Sequence, residues 1–115
     1  MFKTLGRVAQ LVFAGFLSII GLLMLREFSG VRRQLTYREV VSYFVKNKPL
    51  KASKGVLVRK SEIGGTFLIN QNFLDENDEL LKKPGGFAYG RSLRVMNIDE
   101  ELQEAFGNKD MILFT

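Results

Sequence analysis

The residue types that most often carry chemistry near neutral pH are missing from this chain. Its 115 residues include no cysteine and no histidine. The first absence excludes disulfide frameworks, thiolate metal sites and thiol nucleophiles. The second removes the commonest near-neutral acid/base and the commonest metal ligand. Carboxylates, Lys, Tyr and Ser remain. Glu62 and the cluster Asp99-Glu100-Glu101 could each pair with a lysine for acid/base work. The cluster, however, also fits the negative charge that a helix N-terminus attracts. No Ser-x-x-Lys occurs, and neither a triad nor a Cys/His dyad can be assembled. An enzyme is therefore not expected.

Two further segments invite a ligand. Asp75-Glu76-Asn77-Asp78-Glu79 has the composition of a Ca²⁺ loop, but the glycine required at the sixth position is Leu80. It reads as a solvated loop or a helix start, and no metal or other cofactor is implied. Gly85-Gly86-Phe87-Ala88-Tyr89-Gly90-Arg91 has neither Walker spacing nor a G-x-G-x-x-G pattern. It reads as a glycine turn whose Phe87, Tyr89 and Arg91 could form a partner contact. No small-molecule substrate is evident.

Charge is more informative than any motif. The net +5 is segregated: residues 1–30 carry +2, residues 31–60 carry +8 and residues 61–115 carry −5. The central block holds nine basic residues against Glu39 alone. Of these, Arg32, Arg33, Arg38, Lys46, Lys48, Lys51 and Lys54 are the candidate lipid- or anion-facing residues. Beside an anionic leaflet each would contribute about 1 kcal/mol of attraction. Nucleic-acid binding is disfavoured, because the aromatics that would stack bases, Tyr37 and Phe44, belong to an apolar stripe.

The element that would position this block is the apolar run before it. Residues 8–25 (VAQLVFAGFLSIIGLLML) contain no charge. As a helix they reach about 27 Å, which snorkelling by Arg7 and Arg26 extends to the roughly 30 Å hydrocarbon core. The run is longer than a signal-peptide h-region and ends without a small-x-small cleavage pattern, so an uncleaved transmembrane anchor is expected. On one helical face Gln10, Ala14, Ser18 and Gly21 recur at interface spacing. They are the candidate contacts with an integral membrane partner or a second copy. Arg26, Arg32, Arg33 and Arg38 outnumber Lys3 and Arg7, which favours a cytoplasmic or matrix-side C-terminal domain at a bacterial or organellar inner membrane.

Beyond the anchor, Thr36-Tyr37-Arg38-Glu39 is a capping box, and Tyr37, Val40, Val41, Phe44 and Val45 follow at helical spacing until Pro49. Residues 55–60 and 66–69 read as strands joined by a glycine hairpin over 61–65. Residues 75–81 offer a possible short helix, and 92–96 a third strand. Asn97-Ile98-Asp99-Glu100 reads as a second capping box, with Ile98, Leu102, Ala105 and Phe106 on one helical face and Gly107 as its stop. Residues 111–114 end the chain as a fourth strand. The expectation is an α+β fold behind a single N-terminal transmembrane helix, with about four short strands and two or three helices. Its parts are an anchor (1–28), a basic juxtamembrane helix and loop (29–54) and a small α+β domain (55–115). The function expected is a non-enzymatic accessory or interaction subunit of a membrane complex. The alternative is a membrane-tethered regulator whose basic block binds anionic lipid or nucleic acid.

Overall fold

The computed structural model describes residues 30–115. The expected anchor lies outside the described residues, and with it the Gln10, Ala14, Ser18 and Gly21 face. Among the described residues no helix is long and apolar enough to cross a membrane.

These residues form an α+β domain with five strands and two helices. The order is β1 (Gly30–Leu35), α1 (Tyr37–Asn47), β2 (Lys54–Ser61), β3 (Phe67–Leu74), β4 (Gly90–Ile98), α2 (Glu100–Phe106) and β5 (Met111–Phe114). The strands lie side by side as β1-β4-β3-β2-β5. All neighbours are antiparallel except β1 and β4, which run parallel with Arg32 opposite Val95.

The first helix begins as its sequence requires. The Thr36 hydroxyl accepts from the Glu39 N–H at 3.1 Å, and the Thr36 N–H donates to the Glu39 carboxylate at 3.0 Å. This reciprocal pair satisfies two donors that a bare helix end leaves unpaired. Val40 and Phe44 are wholly buried, with Tyr37 and Val41 packed beside them. The last apolar position departs from the expected stripe. Val45 is half exposed, and Tyr43 turns inward instead, 6.3 Å from the Phe73 ring.

Phe44 anchors the helix-side core. Its ring meets Phe73 edge-on at 5.4 Å and Phe114 at 5.0 Å, and it lies over Gly55. Leu102 and Phe106 of α2 join the same core with Leu57, Ile69, Val95 and Ile112. Each such side chain, fully buried, is worth about 1.5–3 kcal/mol. A smaller cluster of Val56, Val58, Leu74, Met111 and Leu113 belongs to the alternate positions of the strands.

Several expectations are corrected here. Residues 30–35 form a strand, where only a juxtamembrane helix and loop were expected. β3 is longer than the strand expected over 66–69, because its polar residues are satisfied internally. Asn70 accepts from the Ser92 hydroxyl at 2.6 Å and donates to the Asn72 side-chain oxygen, and Asn72 donates to the Tyr89 carbonyl at 2.9 Å. A hydrogen-bonded relay of this kind removes the penalty for burying amides in a sheet. Residues 75–81 form no helix. The Asp75 carboxylate instead accepts from the N–H groups of Asn77 and Glu79, at 2.8 and 3.0 Å, and closes a turn. The second helix starts at Asp99, two residues later than the capping box suggests, and Ile98 stays in β4.

Candidate functional site: a cationic cavity between the first helix and the sheet

The residue that organises the site is Gln71 on β3. It is wholly buried, and its side chain joins helix to sheet. Its amide donates to the Val40 carbonyl at 2.8 Å, and its oxygen accepts from Arg91 Nε at 2.9 Å. Arg91, on β4, is thereby held at one edge of its guanidinium. Tyr43 supports the group from α1, with the Arg91 Cζ atom 4.2 Å from the ring centre. This is a cation–π contact of the kind Arg favours. Arg91 Nη2 is buried and has no hydrogen-bond partner among the described residues. A buried donor without an acceptor costs about 1–3 kcal/mol.

In front of Arg91 opens a cavity of about 350 Å³, accessible from solvent. Arg38, Ser42 and Lys46 line it from successive turns of α1, with Asn47 at the helix end. Arg32 of β1 and Glu39 line it too. These two pair at 2.9 Å, so their charges largely cancel. Arg38, Lys46 and Arg91 have no carboxylate within ion-pair distance among the described residues. The cavity therefore presents three cationic groups from two elements beyond the Arg32–Glu39 pair.

The electrostatics agree with that geometry. Burial, and then the positive charge of Arg32, push the Arg91 guanidinium down from its ordinary value, against weaker opposition from Tyr43 and Glu39. The group remains protonated, as arginine does in proteins. For Glu39, burial acts upward. The Thr36 N–H, the charge of Arg32 and hydrogen bonds from Thr36 and Arg32 outweigh it and hold the carboxyl below its ordinary value.

The structure thus joins residues that the sequence put in separate groups. Arg32, Arg38 and Lys46 come from the basic block and Arg91 from the glycine-rich segment. Lys48 and Lys51 lie exposed just after α1 and flank Leu50, which is 96% exposed. Two other basic residues have different roles. Lys54 pairs with Asp78, and Arg59 stacks over Phe106 at 4.3 Å while bonding Asp110. Arg33 is exposed on β1. The expected Phe87, Tyr89 and Arg91 contact divides: Phe87 is exposed, Tyr89 packs against the core, and Arg91 enters the cavity.

The carboxylates considered for acid/base work are held apart on other elements. Glu62, beside the β2–β3 turn, accepts from Arg94 at 2.7 and 3.1 Å and from Thr66 at 3.0 Å. The Arg94 hydrogen bond leads the forces that lower its carboxyl from the ordinary value. Asp99 is a helix cap. Among the described residues no group of His, Cys, Asp or Glu is arranged to hold a metal ion. Gln71 and Tyr43 escaped sequence reasoning. A tyrosine off the helical stripe is the signal available for Tyr43, and the strand expected over 66–69 stops short of Gln71. No family model matches the chain, and neither does any curated protein or solved structure.

Proposed function

We propose that this chain is a membrane-tethered, non-enzymatic accessory or interaction subunit whose domain rests its basic face on anionic lipid. Residues 1–28 serve as the anchor in this reading, and the domain lies on the cytoplasmic or matrix side. The observation that carries it is the convergence of Arg38, Lys46 and Arg91 on one cavity, together with an exposed Leu50 between Lys48 and Lys51 just after the helix that carries Arg38 and Lys46. An apolar tip flanked by lysines suits the boundary between headgroups and acyl chains. The lipid form is favoured over nucleic acid because Phe44 is buried and Tyr37 packs 6.1 Å from Phe114, so neither offers a base a stacking face.

The absence of native cysteine makes the test direct. A Leu50→Cys variant of the full chain, carrying an environment-sensitive dye, is reconstituted in nanodiscs of zwitterionic or anionic lipid. The reading expects a blue shift in anionic discs that high salt reverses. Equal spectra in both discs, unaffected by salt, would overturn it.

A further inference from the structure

We infer that the cavity between α1 and β4 is a receptor for a single phosphate monoester group. This rests on the anionic-surface reading but is narrower, since a basic face attracts any anion and this cavity selects one.

Three observations lead to it. The first is charge. With Arg32 matched by Glu39 at 2.9 Å, Arg38, Lys46 and Arg91 remain to be neutralised. A phosphate monoester carries about −1.5 to −2 near neutral pH, whereas a phosphodiester or carboxylate carries about −1. The second is preorganisation. Gln71 fixes Arg91 Nε at 2.9 Å and Tyr43 supports the guanidinium face at 4.2 Å, so the planar fork is set before a ligand arrives. Arg is suited to phosphate because its parallel N–H groups match two oxygens at once. The third is donor number, since Arg91, Arg38 and Lys46 line one cavity. A monoester has three terminal oxygens to distribute over Arg91, Arg38 and Lys46, and a diester has only two.

This chemistry can come from a lipid headgroup, as in phosphatidic acid, or from a soluble monoester. The experiment uses the full chain in nanodiscs. Glycerol phosphate is titrated calorimetrically into zwitterionic discs. In parallel, discs containing phosphatidic acid or phosphatidylglycerol are compared through the Leu50→Cys dye. Saturable one-to-one binding of glycerol phosphate, or a shift larger with phosphatidic acid than with phosphatidylglycerol, supports the proposal and identifies the source. Arg38→Gln lies on an exposed helix face and should weaken the response about tenfold, the loss of one charge-assisted contact. Arg91→Lys, which keeps charge but loses the fork, should also weaken it, while Lys82→Gln should not. No glycerol phosphate binding together with equal responses to the two lipids overturns the monoester site and leaves the basic-face reading standing. No glycerol phosphate binding together with no response to either lipid overturns both.

Discussion

The Asp99 carboxylate, which caps α2 by accepting from the Leu102 N–H at 3.0 Å, also accepts from the Tyr37 N–H at 3.1 Å in the first turn of α1. One side chain thus satisfies an unpaired donor at the start of both helices. The Asp99 N–H adds a third link, donating to the Leu35 carbonyl at 3.1 Å. The two helix starts are thereby tied together at the end of the parallel β1–β4 pair.

Asp99→Ala should therefore cost more than a single cap. One lost cap is worth about 1 kcal/mol, and here two helix starts lose their acceptor, so about 2 kcal/mol is expected. Asp99→Asn keeps an oxygen in place and should cost less than half of that. Urea denaturation of the three proteins checks both the size and the order, and equal stability of Asp99→Ala and the parent would contradict the double-cap role.

The second prediction concerns a glycine that has no turn to make. A Cβ added to Gly55 would lie within about 2.6 Å of Phe44 ring atoms, closer than any real contact. Gly55→Ala should destabilise by about 1–3 kcal/mol, the ordinary cost of overpacking. Phe44→Leu alone should also destabilise, by leaving space beside Phe73 and Phe114. Combined, the two changes should cost less than their sum, since the smaller side chain relieves the overlap. Strict additivity in denaturation midpoints would show that Phe44 and Gly55 do not share this space.

How much of this architecture could be read in advance depended on the range of the interaction that fixes each part. Thr36 and Glu39 are three residues apart, and their capping box is visible in four letters. The short apolar run at residues 111–114 announces β5 equally plainly. By contrast, β1 carries Arg32, Arg33 and Gln34 and becomes a strand only because β4, distant in sequence, offers it a parallel edge. Charged residues suit such an edge and hide the strand from pattern reading. Asn70, Gln71 and Asn72 looked like the end of a strand because their partners, Ser92, Arg91 and the Tyr89 carbonyl, come later in the chain. The cavity was partly legible as positive charge, but its geometry depends on that β3–β4 register.

The register itself supplies a third prediction. Gly90 faces Asn72 with φ at +141°, and a Cβ there would run into the Gln71 carbonyl and the Asn72 side chain. Gly90→Ala should be destabilising by about 2 kcal/mol or more, combining strain with overlap. It should also loosen Arg91, the next residue. Thermal unfolding measures the first effect. Glycerol phosphate binding, measured where the variant stays folded, reports the second, and unchanged values for both would show that the sheet tolerates a side chain here.

Glu39 gives the pH dependence. Its carboxyl lies below the ordinary value of 4.5 in the folded protein. A carboxyl held down by folding stabilises above its unfolded value, and that contribution disappears as pH falls through the folded one. Glu39→Gln keeps a capping-box side chain at this position but removes the charge facing Arg32. The variant should be less stable than the parent at neutral pH, with the gap narrowing as pH drops below about 4.5 and closing in stronger acid. A gap that widens toward low pH would reverse the assignment.

The last prediction separates positioning from charge at the cavity. Gln71 touches no solvent, yet it holds Arg91 Nε and the Val40 carbonyl. Gln71→Leu removes both hydrogen bonds while approximately filling the volume, so about 1–3 kcal/mol of stability should be lost. If Gln71 were only a structural link, phosphate binding would fall no further than stability explains. As a positioning residue it has a second effect, because Arg91 keeps its charge but its fork is no longer held against Tyr43. Binding of glycerol phosphate, measured under conditions where the variant remains fully folded, should then weaken about tenfold with the salt dependence unchanged, since no charge has been removed. Arg38→Gln should instead weaken binding and flatten the salt dependence together. If Gln71→Leu binds as tightly as the parent when folded, Arg91 needs no help from β3.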